Sequence, residues 1–170
     1  MNFKEKLNQV TTFALDIDGV LTNGMVTIFP DGTQVRQMST RDGFAMQYAV
    51  KQGFNVVVIS GGTSESVISR LNKLGVENVF LGVKNKLEVL NEFTSEKNIT
   101  KSSILYMGDD LPDYEVMQAC GVKTCPNNAA YEIKAISDYI SPKNGGEGCV
   151  RDVIEQTLRC QNKWVKLNTN

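Results

Sequence analysis

The sequence predicts an α/β fold in which a parallel sheet is covered on both faces by helices and a β-hairpin is inserted after the first strand. Three observations lead there. Short apolar runs with strand character alternate with amphipathic stretches of helical period, and such alternation builds a parallel sheet because each helix carries the chain back to the same end. One segment, Met25 to Met38, breaks the alternation: two short strand-like runs flank Pro30-Asp31-Gly32 with no helix between them. Finally, 170 residues of which 41% are hydrophobic are enough for one domain with a substantial core. Residues 1–170 show no repeat, low-complexity stretch or interdomain linker and are expected to form a single unit.

In chain order, Thr12 to Ile17 reads as the first strand. The hairpin follows, with strands Met25–Phe29 and Thr33–Met38. Asn55 to Ser60 is the second sheet strand. After it, Thr63 or Ser64 caps a helix whose Val67, Ile68, Leu71 and Leu74 share a face and which Gly75 stops. Asn78 to Leu81 is a third strand. Lys86 to Lys97 carries Leu87, Val89 and Leu90 in helical register, and Ile104 to Gly108 is a fourth strand. Asp113 to Cys120 and Gly148 to Arg159 read as further helices around weaker strands at Val122–Cys125 and Tyr139–Ile140. Trp164 is expected to pack the C-terminal helix, and Lys166–Asn170 to fray.

Composition narrows the function. A formal net charge of −1 without a Lys/Arg cluster argues against nucleic acid as a partner. No stretch approaches the roughly 18 apolar residues of a membrane span. Met1 to Val10 is polar, without the apolar core of a signal peptide, so a cytoplasmic location is expected. The four cysteines form no CxxC pair and read as buried or idle thiols. Histidine is absent, which removes Ser-His-Asp and Cys-His catalysis and every His-ligated metal. Acid–base work at neutral pH then falls to carboxylates, lysine or a metal-bound water.

The chemistry gathers at the carboxyl ends of the strands, where open parallel sheets bind ligands. Strand one ends in Asp16-Ile17-Asp18-Gly19, two carboxylates on one side of an extended chain that repel unless a cation joins them or one is protonated. Strand two ends in Ser60-Gly61-Gly62, a hydroxyl and backbone amides suited to phosphate. The third is followed by Lys84 and Lys86, and the fourth by Gly108-Asp109-Asp110-Leu111-Pro112-Asp113. Acidic oxygens without His or Cys suit a hard ion such as Mg²⁺.

This ordered set, Asp16-x-Asp18-Gly19-Val20, Ser60-Gly61, Lys86 and Gly108-Asp109-Asp110-x-x-Asp113, resembles the four motifs of the haloacid dehalogenase-like phosphohydrolase superfamily. Further features resemble its 3-deoxy-D-manno-octulosonate 8-phosphate phosphatase family: a hairpin in place of a cap domain, Thr40-Arg41-Asp42-Gly43 after it, Gly121-Val122, and Gly145-Gly146-Glu147-Gly148 before the last helix. One position departs. Where such proteins often carry a charged residue after the glycine of the serine motif, this chain has Gly62, so substrate contacts assigned there do not carry over.

The resemblance implies a Rossmann-like three-layer fold and a Mg²⁺-dependent phosphomonoesterase acting on a sugar-acid phosphate. Asp16 would be the nucleophile and Asp18 the general acid and base. The metal would be held by Asp16, the Asp18 main-chain carbonyl and Asp109, with Ser60, Gly61 and Lys86 binding the phosphoryl group and Asp110 and Asp113 supporting. Lys84 competes with Lys86, which is favoured because it opens a helix and matches the family position. Arg41 and Asp42 either start a helix or bind substrate, Arg70 is either a solvated face residue or a partner for the sugar carboxylate, and Gly145–Gly148 is either a plain turn or a loop that touches substrate in its own or a neighbouring subunit. The resemblance also implies a homotetramer whose hairpins pack together. The catalytic motifs do not separate this substrate from a nonulosonate 9-phosphate of the sialic-acid type. A receiver-type signalling domain shares the acidic cluster, Ser/Thr and Lys, but here the third strand ends in Leu81-Gly82, without an acceptor aspartate.

Overall fold

Four consecutive fully buried residues, Thr12–Leu15, form the central strand β1 of the fold. The structure is a computed structural model describing residues 2–165, so the fraying expected of Lys166–Asn170 lies outside the described residues. A short helix α1 (Phe3–Leu7) precedes β1. After it come the hairpin strands β2 (Thr27–Ile28) and β3 (Gln34–Val35), then α2 (Thr40–Lys51), β4 (Asn55–Ile59), α3 (Glu65–Lys73), β5 (Asn78–Phe80) and α4 (Lys86–Lys97). The chain then returns through β6 (Ile104–Met107), α5 (Tyr114–Gln118), β7 (Val122–Cys125), α6 (Tyr131–Ile136), β8 (Tyr139–Ile140) and α7 (Cys149–Cys160).

The six sheet strands lie in the order β5-β4-β1-β6-β7-β8, every neighbouring pair parallel. Alternate side chains therefore feed two cores. Phe13, Leu15, Val56, Val58, Leu105 and Met107 pack beneath α2, α3 and α7. Ala14, Val57, Ile59 and Tyr106 face α4, α5 and α6. Burying a Leu, Ile, Val or Phe side chain stabilises by about 1.5–3 kcal/mol, so both layers hold the sheet. From β1 the chain leaves toward β4, and from the adjacent β6 it leaves toward β7. The crevice between the carboxyl ends of β1 and β6 is the place where connections diverge.

Register fixes what meets there. Leu15 pairs with Val58 on one side and Met107 on the other, so the residues that follow emerge level along one edge. The Asp16 N–H still bonds to the Met107 carbonyl at 3.1 Å before the chain turns away. Gly19, at φ +89°, makes that turn, and the Thr22 N–H closes it on the Ile17 carbonyl at 3.0 Å.

Several elements differ from expectation in extent. The hairpin pairs only Thr27 with Val35 and Ile28 with Gln34, because a two-stranded ribbon with exposed faces has no core to lengthen it. The helix expected over Asp113–Cys120 is a 3₁₀ turn, Leu111–Asp113, running into α5, since Pro112 and the Asp110 side chain capping the Leu111 N–H at 2.8 Å start it early. The helices α1 and α6 are too short for periodicity to show, although Asn2 and Glu5 form a capping box at the first. Trp164 packs edge-on against Tyr48 of α2, their ring centroids 5.3 Å apart.

The loop before α7 lies directly behind the turn after β1. The Gly146 N–H donates to the Val20 carbonyl at 2.9 Å, and a Cβ on Gly145 would sit 1.8 Å from the Gly19 carbonyl oxygen. Backbone meets backbone there, so no side chain can yield. Gly145→Ala is expected to destabilise by about 1–3 kcal/mol through overpacking and to distort the Asp16–Gly19 turn. Thermal melting and activity on the purified variant check this, with both expected to fall.

Candidate active site

Lys86, the first residue of α4, reaches across the edge with its Nζ 2.8 Å from Asp113 Oδ1 and 3.0 Å from Asp16 Oδ1. All three side chains are buried. The contact with Asp113 is a hydrogen bond, whereas that with Asp16 has the distance of an ion pair without hydrogen-bond alignment. Asp113 is fully committed: Oδ1 also accepts from the Tyr106 hydroxyl at 2.9 Å, and Oδ2 accepts the Asp109 N–H at 3.1 Å. It therefore organises the cluster by holding the lysine and the Asp109 backbone together.

Asp109 lies over the turn after β1, where a Cβ on Gly19 would fall 2.0 Å from Asp109 Oδ2. Glycine at 19 thus serves two needs, the left-handed turn and the close approach of a carboxylate. Carboxylate oxygens of Asp16, Asp109 and Asp113 all lie within 4.8 Å of one another. Burial, reinforced by the Asp113 charge and opposed by Lys86, raises Asp16 to about 6. Burial followed by the charges of Asp16 and Asp113 raises Asp109 to about 7. Burial works against the charge on Lys86 as well, but Asp16 and Asp113 outweigh it and lift its pKa above the ordinary value. One lysine does not balance three carboxylates.

The donor set fits a divalent cation. Oδ1 of Asp16 and Oδ1 of Asp109 are both buried without a hydrogen-bond partner, while Asp113 has no oxygen to spare. Hard carboxylate oxygens in a water-accessible cleft are the donors Mg²⁺ takes, and none of them is replaced by a soft ligand. Asp16 and Asp109 would hold the ion.

A cleft of about 540 Å³ opens over this cluster, lined by Asp16, Asp18, Ser60, Lys84, Lys86 and Asp109 among others. Ser60 is buried, its hydroxyl accepting the Gly62 N–H at 3.3 Å. Gly61 and Asp110 also line the cleft. The loop that carries Ser60 is tied to the segment after β5 by Val83 N–H to Ser60 carbonyl and Gly82 N–H to Gly62 carbonyl, each 3.0 Å. Lys84 faces the cleft but is exposed, and no described carboxylate pairs with it.

Three expected substrate residues stand elsewhere. Asp42 is 1% exposed and accepts the Arg151 N–H at 2.6 Å, capping the start of α7. Burial raises it to about 6, opposed by those backbone N–H groups. It is a helix anchor and is corrected as a substrate residue: the polar position beside Arg41 turns inward on α2. Arg41 lines a neighbouring 420 Å³ cavity with Asn23, Gln37 and Glu147. Arg70 packs toward α2, where a Cβ on Gly43 would come within 2.9 Å of its Nη2, and it is not among the described residues lining the cleft. The Gly145–Gly148 loop backs the Gly19–Thr22 turn.

Sequence reasoning missed Arg36. From just past β3 its Nε donates to Asp18 Oδ1 at 2.7 Å and its Nη2 to Asp18 Oδ2 at 3.1 Å. It also missed Tyr106. An isolated arginine beside a short exposed strand carries no periodic signal, and a tyrosine within an apolar strand reads as core.

A parallel α/β sheet with this edge defines a hydrolase class. The haloacid dehalogenase-like hydrolase family model matches residues 78–154. The 3-deoxy-D-manno-octulosonate 8-phosphate phosphatase KdsC of Escherichia coli (strain K12) is 29% identical over 158 residues, spanning 93% of this chain and 84% of that protein. The crystal structure of the Moraxella catarrhalis phosphatase of the same name, in complex with magnesium, phosphate and KDO, is 33% identical. It superposes with a TM-score of 0.91 over 94% of this chain and 91% of that one. The cobalt-bound Haemophilus influenzae phosphatase matches at 28% identity and a TM-score of 0.89, over 93% and 92% of the two chains. The chain belongs to the haloacid dehalogenase-like hydrolases, in the branch of the 3-deoxy-D-manno-octulosonate 8-phosphate phosphatases. A receiver domain is thereby set aside.

The raised carboxyls predict how stability depends on pH. Asp16 at about 6 and Asp109 at about 7 hold protons in the folded protein that the unfolded chain, near 4, has released. The favourable linkage is complete below about pH 4 and is lost as pH rises through 6 and 7. In chelator the melting temperature is expected to fall between pH 5 and 7.5. Added Mg²⁺ is expected to raise it more at pH 7.5 than at pH 5, as scanning calorimetry can show.

Proposed function

We propose that this chain is a Mg²⁺-dependent phosphomonoesterase that hydrolyses a sugar-acid phosphate, 3-deoxy-D-manno-octulosonate 8-phosphate, through an aspartyl-phosphate. The observation that carries the reading is a pair of buried carboxylate oxygens at one strand edge beside Ser60: Asp109 Oδ1, which has no hydrogen-bond partner, and Asp16 Oδ1, which has only the ion pair with Lys86 at 3.0 Å. The relative with the same fold that holds magnesium, phosphate and KDO supports the substrate.

In this reading a carboxylate oxygen of Asp16 attacks phosphorus in line, and the bond from phosphorus to the sugar oxygen breaks. Asp18 gives its proton to that oxygen. Asp18 then takes a proton from water as the water attacks the aspartyl-phosphate, which releases inorganic phosphate and regenerates Asp16. Lys86, Ser60 and the Gly61 backbone hold the nonbridging oxygens, and Asp113 keeps the lysine aimed. Asp110 orders the turn that carries Asp109 and Asp113. A Mg²⁺ held by Asp16, the Asp18 main-chain carbonyl and Asp109 supplies the positive charge that lets an anionic nucleophile approach an anionic ester. The Arg36 pairing opens so that the Asp18 carboxyl can meet the leaving oxygen.

Assembly and location belong to the same proposal. Residues 1–170 act as one catalytic unit, a cytoplasmic one, in keeping with four unpaired thiols. The hairpin stands where a cap would be and leaves Met25 72% and Ile28 70% exposed, with Phe29 and Val35 also open to solvent. That is apolar surface for partner hairpins to cover, and a homotetramer would roof the open cleft and exclude water.

Asp16→Asn is expected to lower turnover of 3-deoxy-D-manno-octulosonate 8-phosphate by at least about 10³-fold with the fold intact. Excess chelator abolishes wild-type activity and Mg²⁺ restores it. Asp18→Asn is expected to impair alkyl sugar phosphates more than aryl phosphates, whose leaving groups need little protonation. Activity of Asp16→Asn within about tenfold of wild type, or equal impairment of both substrate types in Asp18→Asn, counts against the mechanism.

Joining Gly24 to Ser39 through a tight turn removes the exposed hairpin. Light scattering is then expected to show smaller species with poorer sugar-phosphate turnover. An active wild-type monomer contradicts the tetramer.

A further inference from the structure

Outside Lys86, the cation best built into the edge is Arg36. Its side chain is only 6% exposed, and it arrives from the hairpin, an element that otherwise faces solvent. Two of its nitrogens grip the Asp18 carboxylate in a fork, at 2.7 and 3.1 Å. The third, Nη1, is buried and has no hydrogen-bond partner. A guanidinium so placed, with donors to spare, is unusual for a merely structural ion pair, because its desolvation is only partly repaid.

The neighbouring position explains the room it has. A Cβ on Gly62 would stand 3.0 Å from Asp18 Oδ2 and 3.3 Å from Arg36 Nη2. Any side chain at 62 would press on the guanidinium, so Gly62 lets Arg36 lie over the serine loop. Asp18 and Gly62 both line the catalytic cleft, and they also line the small pocket that Arg36 walls with Ser60. The fork thus stands one residue away from the space the substrate enters.

Other cations suit a carboxylate less well. Lys86 is committed to Asp113 and Asp16, Arg41 opens on a separate cavity, and Arg70 packs behind Gly43. Lys84 is a point charge without a fork. A planar guanidinium matches a carboxylate with two parallel hydrogen bonds, and the Asp18 carboxylate already demonstrates that geometry.

We propose that Arg36 is the specificity-determining residue for the sugar acid: its guanidinium exchanges the Asp18 carboxylate for the carboxylate of the substrate. This rests on the sugar-acid phosphatase reading above and extends it. The exchange links recognition to chemistry, since the arrival of a carboxylate on the far end of the substrate frees the Asp18 carboxylate, which takes up a proton from solvent and then turns to the leaving oxygen as the acid. A phosphate ester without a carboxylate leaves the fork on Asp18. No bond other than hydrogen bonds is made or broken in the exchange, and the count of charges across the pair is unchanged.

The test compares kcat/KM for 3-deoxy-D-manno-octulosonate 8-phosphate with that for arabinose 5-phosphate, which lacks a carboxylate, in wild type, Arg36→Ala, Arg36→Gln and Arg36→Lys. Circular dichroism verifies folding, and Arg36→Gln, which keeps most of the side-chain stem, serves if the alanine variant misfolds. The ratio of acid to neutral substrate is expected to fall at least tenfold in the alanine and glutamine variants, with KM for the acid carrying much of the change. Arg36→Lys is expected to fall between them and wild type. Calorimetry with free 3-deoxy-D-manno-octulosonate is expected to show weaker binding in the same order. A wild-type preference for the acid that both neutral variants leave within twofold overturns this proposal alone. A wild type with no preference for the acid overturns the substrate reading and this proposal with it.

Discussion

The pairing of the Lys86 ammonium with Asp113 at 2.8 Å and Asp16 at 3.0 Å is the interaction on which the carboxyl edge of the sheet depends. The position of the lysine is costly on two counts. It is buried, and as the first residue of α4 it sets a cation at the positive end of a helix. Both costs are offset by carboxylates that are themselves buried and that would otherwise repel each other. The residue ties three elements together: α4 supplies the lysine, β1 delivers Asp16, and the turn after β6 delivers Asp113. Asp16 Oδ1, held by the lysine as an ion pair only, and Asp109 Oδ1, buried without a hydrogen-bond partner, form the part of the edge fitted to a divalent ion.

Around that charge centre the backbone is fitted closely. Gly19 admits Asp109 above the turn, and Gly145 admits the same turn from behind. Asp42, which accepts the Arg151 N–H at 2.6 Å, fixes the start of α7 and with it the loop that presses on Gly19–Thr22. The Asp16–Gly19 turn is therefore held from the sheet by Met107, from above by Asp109 and from behind by Gly145 and Gly146. Positioning of this kind fixes the Asp16 carboxylate in place without a search for its geometry.

Much of this was legible in the sequence, for definite reasons. The apolar runs of β1, β4 and β6 end in polar residues, and in a parallel sheet such ends meet, so the pattern itself places Asp16, Ser60 and Asp109 at one edge. Lys86 was legible because it opens a helix. Less legible were groups whose role comes from long-range packing. Asp42 looked like a cleft residue because it sits beside Arg41, but helix α2 turns it 100° away, under α7. Arg36 and Tyr106 act through partners 18 and 7 residues distant, and neither separation leaves a local pattern. The hairpin was seen, but its paired length was overestimated, since β propensity cannot extend a ribbon that has nothing to pack on.

The central claim is that Lys86 and Asp113 act as one charge-balanced unit under Asp16. A double-mutant cycle on stability tests it most directly, with Lys86→Met, Asp113→Leu and the double variant unfolded in denaturant at pH 7.5. Lys86→Met leaves the buried Asp16 and Asp113 without their cation and is expected to cost about 3–5 kcal/mol, whereas Asp113→Leu leaves Lys86 paired with Asp16 alone and is expected to cost less. The double variant removes both charges and is expected to lose less than the sum of the singles by about 2 kcal/mol or more. Losses that add to within about 0.5 kcal/mol would show the two residues to be independent and contradict the account.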